Sequence, residues 1–224
     1  MNKPTALLAL LLSASALAQA DELVKFPVLA AAWDVQVSPS KFITGGTAAN
    51  RKDTPASVRS GPRLTAVTVA QDGCKRRYQV TYSNGATRET WELPSRALTM
   101  AETPGGTITT SGLSAASTPF GPAAFDWLKP ECRKNQKPTV FQGKPCWHYE
   151  STRETRNDQG AVIARYPCAA WIDAATLLPV ALDDGIDYGS FKFRDQTTLT
   201  LPEKFQQKLD RYRLFNTPPN PKKH

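Results

Sequence analysis

The segment "RRYQVTYSNGATRETWEL", Arg76 to Leu93, predicts a β-hairpin and with it a β-rich fold. Apolar and polar residues alternate on both sides of Asn84-Gly85, which is the period of a strand with one buried face. Asn-Gly is typical of a two-residue type I′ turn, because both central positions need a positive φ. Such a turn pairs Tyr82 with Thr87, Val80 with Glu89 and Tyr78 with Trp91. The expected apolar face therefore carries Tyr78, Val80, Tyr82, Trp91 and, near the rim of the sheet, Glu89.

Strands are also predicted on both sides of this hairpin. Upstream, Trp33 to Val37 alternates and Leu64 to Ala70 is rich in β-branched residues, with a loop-rich stretch between them. Downstream, "KPCWHYESTRETRNDQGAVIARYPCAAWID" (144–173) contains two strands around the turn signal Asn157 to Gly160. Alternation places Trp147 and Tyr149 on one face, and the opposite face carries Cys146, His148 and Glu150.

Aspartates mark two turns in the second half. Asp173 follows a strand in "WIDAATLLPV" (171–180), where its side chain is placed to accept hydrogen bonds from the amides of residues 174–176. Asp183-Asp184-Gly185 predicts a second turn. Together with Asp187 these acids lack the alternation and the distal Glu of a calcium-binding loop, which favours solvated turn residues over a metal site.

The remaining segments predict a lid and a C-terminal helix. An insertion at about 94–130 contains "TPGGTITTSGLSAASTPFGP" (103–122), which is typical of a loop or lid, and Pro122 to Leu128 predicts a short helix. Pro202 to Phe215 predicts a longer one, with Leu201, Phe205, Leu209 and Tyr212 on its buried stripe. Its basic side is expected to face solvent, and it carries Lys204, Lys208, Arg211 and Arg213.

The N-terminus predicts export. Residues 1–20 contain Lys3, an apolar run and the small-residue site Ala18-Gln19-Ala20, which is the order of a secretory signal peptide cleaved after Ala20. The apolar run is too short to span a bilayer. We expect a periplasmic or secreted protein that is not membrane-spanning, with one β-rich domain at 21–215 and a disordered tail at 216–224.

The four cysteines predict disulfides, because an even number in an exported chain is the usual sign of them. A turn midway between Cys146 and Cys168 brings these two together on adjacent strands, and Cys74 then pairs with Cys132 by elimination. The spacings contain no Cys-x-x-Cys pair, and His148 is the only histidine besides His224, which disfavours zinc or redox sites.

Charge and motif content exclude several functions. The net charge is +8, but the lysines and arginines are scattered, which favours weak attraction to anionic envelope components over a nucleic-acid groove. No nucleophile motif, phosphate-binding loop or dinucleotide fingerprint occurs, and we therefore expect no cofactor and no enzyme. Hydrolysis by two carboxylates that meet only in the folded chain is the enzymatic alternative.

The stretch "GKPCWHYESTRET…GAVIARYPCAAWIDAATLLPVAL", within residues 143–193, resembles the LolA-like superfamily of periplasmic lipoprotein carriers. The resemblance implies a half-open antiparallel β-barrel with a helical lid over an apolar cavity. Residues 21–32 depart from the family, because they do not predict its long N-terminal amphipathic helix. The expected fold is thus mainly β (α+β): an antiparallel curved sheet or half-open barrel, a C-terminal helix and a lid-like loop or short helix.

These features predict a binding module that holds a lipid or other apolar ligand in a groove of the sheet. The proposed ligand face consists of aromatic residues on alternating strand positions, namely Tyr78, Trp91, Trp147, Tyr149 and Trp171. Aromatic residues at strand spacing also form ordinary cores. The alternative is therefore an envelope structural or interaction protein with a filled core, which contacts other envelope proteins through its surface or an edge strand.

Overall fold

Eleven antiparallel strands form one open sheet in the computed structural model, which describes residues 22–28, 30–44, 61–103, 105–113, 118–156, 159–195 and 198–216. The expected signal peptide and most of the expected tail lie outside these ranges. The strands are β1 Ala31–Pro39, β2 Leu64–Gln71, β3 Arg76–Tyr82, β4 Thr87–Leu93, β5 Leu98–Glu102, β6 Ile108–Gly112, β7 Thr139–Phe141, β8 Lys144–Arg156, β9 Val162–Asp173, β10 Pro179–Asp183 and β11 Asp187–Arg194. The helices are α1 Lys41–Thr44 and α2 Glu203–Asn216, and single 3₁₀ turns occur at Pro94–Arg96, Pro122–Phe125 and Pro130–Cys132.

The sheet consists of two up-and-down halves that meet in its centre. Its order is β6-β5-β4-β3-β2-β1-β11-β10-β9-β8-β7, so that each half runs from the centre to one edge. β1 joins the halves, because it pairs with both β2 and β11. The mainly β fold with an antiparallel sheet and a C-terminal helix is confirmed, and the sheet is not closed into a barrel.

One face of the sheet, here called the loop face, is covered by irregular chain. Its central core includes Trp33, Val35, Val69 and Tyr149 from the strands. Two segments pack against these residues: 22–28, which contributes Phe26, and 118–132. The rings of Phe26 and Phe125 meet edge-to-face with 5.5 Å between their centroids. The centre of the loop face is therefore filled by the chain itself.

The other face, here called the helix face, is covered at the β4–β6 end by α2. Phe205 and Leu209 are buried there against Trp91 and Met100, and the Trp91 and Phe205 ring centroids are 6.2 Å apart. The predicted helix is thus confirmed within one residue at each end. The prediction that Tyr212 lies on the buried stripe of this helix was wrong, because Tyr212 is 39% exposed.

The β3–β4 hairpin differs from its predicted register by one residue. Gly85 has a φ of 79° and donates its N–H to the Tyr82 carbonyl, whereas Asn84 is not among the residues with positive φ. This is a three-residue loop with a type I turn and a glycine bulge rather than a type I′ turn. Gln79 consequently lies opposite Glu89, and Tyr78 lies opposite Thr90.

This shift moves every side chain of β4 to the other face, because the side-chain period of a strand is two. Trp91 and Glu89 lie on the helix face, where Glu89 Oε1 accepts hydrogen bonds from Arg77 Nε at 2.6 Å and Trp91 Nε1 at 3.1 Å. The placement of both residues beside Tyr78 was wrong. Arg88 and Glu92 occupy the loop face instead.

The predictions for the insertion at 94–130 were partly wrong, whereas the predicted turn at Asp173 is present. β5 and β6 lie within the expected insertion at 94–130, so that this region contributes two strands to the sheet rather than only a loop. The expected helix at Pro122 is a single 3₁₀ turn, Pro122–Phe125. The turn at Asp173 is confirmed: its Oδ1 accepts the amides of Ala175 and Thr176 at 2.9 and 3.0 Å.

In the described part of the chain, neither helix combines the length and the apolar character needed to cross a membrane.

Candidate functional site

An open groove of about 430 Å³ lies on the loop face at the β3–β6 end of the sheet. The strand register explains its composition, because alternate residues of four paired strands point into it. The segment 118–119 forms one wall. The groove is lined by Tyr78, Val80, Tyr82, Arg88, Thr90, Glu92, Thr99, Ala101, Thr109, Ser111, Thr118 and Pro119. Apolar surface and hydroxyl groups are thus interleaved along it.

One end of the groove has a closed hydrogen-bond network. The Tyr78 hydroxyl donates to Glu92 Oε2 at 3.2 Å, and Arg76 Nη1 donates to the Tyr78 oxygen at 3.1 Å. Arg76 and Glu92 are also an ion pair at 3.4 Å. The side chain of Thr118 hydrogen-bonds to Tyr78 and ties the wall to the floor. Burial, aided by the Glu92 carboxylate, raises the pKa of Tyr78, so that this hydroxyl is a neutral donor at physiological pH.

Two polar groups of the groove lining are unmatched within the described chain. Thr99 Oγ1 is buried and has no hydrogen-bond partner among the described residues. Arg88 is exposed, and no described side chain forms an ion pair or hydrogen bond with it. A hydroxyl donates one hydrogen bond and accepts two, and a guanidinium only donates. A ligand with an apolar body and polar groups would complement this pattern.

The proposed aromatic ligand face is divided between the two sides of the sheet. Only Tyr78 lines the groove. Tyr149 is completely buried in the central core, and Trp147 packs beside it on the same loop face, as alternation predicted. Trp91 and Trp171 lie on the helix face. The single aromatic surface expected from the sequence was therefore wrong, and Tyr149 and Trp91 are structural core.

The side chain of Arg133, the residue that follows the 118–132 segment, covers Trp147 and Tyr149. The Arg133 guanidinium lies 4.1 Å above the Trp147 ring centroid, and its Nη2 donates to the Tyr149 hydroxyl at 3.0 Å. The backbone of Arg133 forms an isolated antiparallel bridge to Tyr149. These contacts attach the chain before β7 to β8, and the Arg133 guanidinium covers the Trp147 ring.

Trp171 belongs to an aromatic stack on the helix face, away from the β4–β6 end that α2 covers. Phe141 and His148 both stack on it, with centroid distances of 4.5 and 4.9 Å and interplanar angles of 12° and 9°. Burial lowers the pKa of His148, although the nearby Glu150 opposes this shift. His148 Nε2 and Glu150 Oε1 are 3.4 Å apart but form no hydrogen bond. His148 is thus a neutral member of an aromatic cluster.

The four cysteines are free thiols, and no two of them lie at disulfide distance. Cys146 is opposite Asp173, whereas Cys168 is opposite Ser151. The offset of five residues separates the two by roughly 16 Å at about 3.3 Å per residue, and they lie on opposite faces. The pairing of Cys146 with Cys168 was wrong, because the hairpin is centred near residues 159–160 instead of midway between the cysteines.

The aspartate turn at 183–187 is built from backbone contacts. Asp183 is buried, and its carboxylate accepts the amides of Gly185 at 3.0 Å and Lys41 at 3.2 Å. Asp184 Oδ1 accepts the amides of Ile186 and Asp187. Burial and then the neighbouring Asp184 raise the pKa of Asp187 to about 6. Among the described residues, no cluster of three or more histidines, cysteines or acids is arranged to hold a metal ion.

Sequence reasoning missed most of the groove. Arg88, Thr99, Ser111 and Thr118 line the groove but were not predicted as site residues. A three-residue hairpin loop also prefers glycine at its left-handed position, so that Gly85 is compatible with this loop as well. Choosing the three-residue loop would have placed Arg88 on the same face as Tyr78. The chain matches no protein-family model and no curated protein sequence.

Proposed function

We propose that this protein is an exported binding module that holds a lipid or another largely apolar ligand in the β3–β6 groove. The observation that carries the proposal is an open groove of about 430 Å³, which is within the usual size range of small-ligand sites. Val80, Tyr82, Ala101 and Pro119 give it apolar surface. Thr90, Thr109 and Ser111 contribute hydroxyl-bearing side chains to its lining.

The open antiparallel sheet is compatible with the half-open barrel that the resemblance to LolA-like carriers implies. The site proposed here differs from a cavity in the middle of such a half-barrel, because Phe26 and Phe125 occupy the middle of the loop face. Binding is therefore proposed for the β3–β6 end alone.

The filled centre favours a second candidate, an envelope interaction protein that binds no small ligand. Phe120 and Phe125 are almost fully buried there, which is the packing expected of a structural core. On that account the groove is a solvated surface depression, and the protein acts through contacts with other envelope proteins.

Mass spectrometry separates the two candidates. Protein purified without detergent from its producing cells is measured under native conditions, and an organic extract of the same sample is measured in parallel. The binding module is expected to carry an apolar molecule at up to one per chain, which the extract identifies. A ligand-free mass, together with no saturable uptake of added fatty acid or lysolipid, would leave the interaction protein as the better account.

A further inference from the structure

We propose that the groove takes a single-chain amphiphile with an anionic headgroup, and that Arg88 binds this headgroup. The inference rests on the proposed function and names the ligand class of the same site. It is drawn from the charges on the groove side of β4, where Arg88 and Glu92 both line the groove. They are four residues apart in one strand, which separates them by roughly 13 Å at about 3.3 Å per residue.

The negative charge at the Glu92 end is already matched. Glu92 Oε2 accepts hydrogen bonds from the Arg76 guanidinium and the Tyr78 hydroxyl. Arg76 also donates to the side chain of Gln71 at 3.0 Å, which fixes it in place. This end of the groove therefore offers little attraction to a cationic ligand.

The positive charge at the other end is not matched by any described residue. Arg88 is exposed, and the nearest acid along β4, Glu89, points to the helix face, where it binds Arg77. The guanidinium is thus a fork of donors at the mouth of the groove. A carboxylate, phosphate or sulfonate accepts such a fork in charge-assisted hydrogen bonds.

Apolar surface extends from Arg88 along the groove. Val80 lies directly opposite Arg88 on β3, and Ala101 and Pro119 line the groove farther along. A chain attached to an anionic group at Arg88 would cover these residues. The volume of about 430 Å³ suits one chain and is near the lower end of the range for small-ligand sites.

Two fluorescent probes with one ring skeleton test the headgroup. N-phenyl-1-naphthylamine is neutral, and 8-anilino-1-naphthalenesulfonate carries an added sulfonate. The wild-type protein is expected to bind the sulfonate more tightly. Arg88→Gln should weaken sulfonate binding about tenfold more than it weakens binding of the neutral probe, the value of one hydrogen bond to a charged group. Arg153→Gln, at an exposed arginine on β8, is the matched control.

The outcomes separate this inference from the proposed function. If Arg88→Gln binds both probes as the wild type does, the headgroup assignment is wrong and the groove retains its function. If the wild type binds neither probe, the proposed function fails as well. Decanoate should displace the bound sulfonate probe, and decyltrimethylammonium should not; equal displacement by both would also overturn the assignment. Near-ultraviolet circular dichroism confirms that each variant is folded.

Discussion

Phe120 lies directly over Gly189 on the loop face. A Cβ atom at Gly189 would be 2.5 Å from Phe120 Cε1 and 2.7 Å from Val35 Cγ1. Phe120 itself has a left-handed φ of 57°, which is uncommon for a residue with a side chain. The glycine in β11 therefore provides the space in which the 118–132 segment is anchored to the sheet.

Gly189→Ala is expected to lower the free energy of unfolding by about 1–3 kcal/mol, the usual cost of overpacking a core. Gly112→Ala is the matched control, because a Cβ at this strand glycine meets nothing within 4 Å. Urea unfolding monitored by tryptophan fluorescence measures both. The double variant Gly189→Ala/Phe120→Ala should be more stable than the sum of the single effects predicts. Additive effects would show that the two residues are not in contact.

The cysteine positions predict which thiols react. Burial raises the pKa of Cys168 to about 11, so that it is almost entirely protonated at pH 8, and thiolates are the reactive form. Cys74 is exposed. In reduced, folded protein, iodoacetamide should modify Cys74 first and Cys168 only after unfolding.

Non-reducing peptide mapping of the purified protein checks the same geometry. A linked peptide that joins Cys146 to Cys168 would contradict the β8–β9 register, because the two cysteines lie five positions apart in the ladder.

Asp187 predicts a pH dependence of stability. Its pKa of about 6 in the folded chain lies above the value of about 3.9 expected in the unfolded chain. The folded chain therefore binds more protons between about pH 4 and pH 6, and stability falls as pH rises through this window. Asp187→Asn should raise Tm relative to the wild type at pH 7 and have little effect at pH 4.

Asp126→Asn, at an exposed aspartate, is the control for this experiment. An equal change in Tm at both pH values for Asp187→Asn would show that the fold does not raise the pKa of this carboxyl group.

The sequence predicted the strands well because their alternation is local. β1, β2 and the hairpin around Gly85 were all located, and α2 was placed within one residue at each end. The register of β4 was wrong for a specific reason: Asn84-Gly85 is compatible with two loop lengths, and a difference of one residue exchanges the faces of Trp91 and Arg88.

The groove was less predictable, because it depends on contacts between distant segments. Its wall at Thr118 is held by a hydrogen bond to Tyr78 and by the packing of Phe120 on Gly189. Neither contact can be read from the periodicity of the sequence. The filling of the central core by Phe26 and Phe125 is likewise a tertiary effect. Aromatic residues at strand spacing therefore located the sheet but not its open part.

The β3–β6 groove is tested most directly by filling it. Ala101 lies in its floor between Thr90 and Thr109, and Ala101→Phe adds a ring where the ligand would lie. The control is Ala175→Phe, at an exposed position in the Asp173 turn. In a titration with N-phenyl-1-naphthylamine, the wild type and Ala175→Phe should show the same saturable fluorescence increase, and Ala101→Phe should show none over that concentration range. Equal binding by all three proteins would contradict the proposed site.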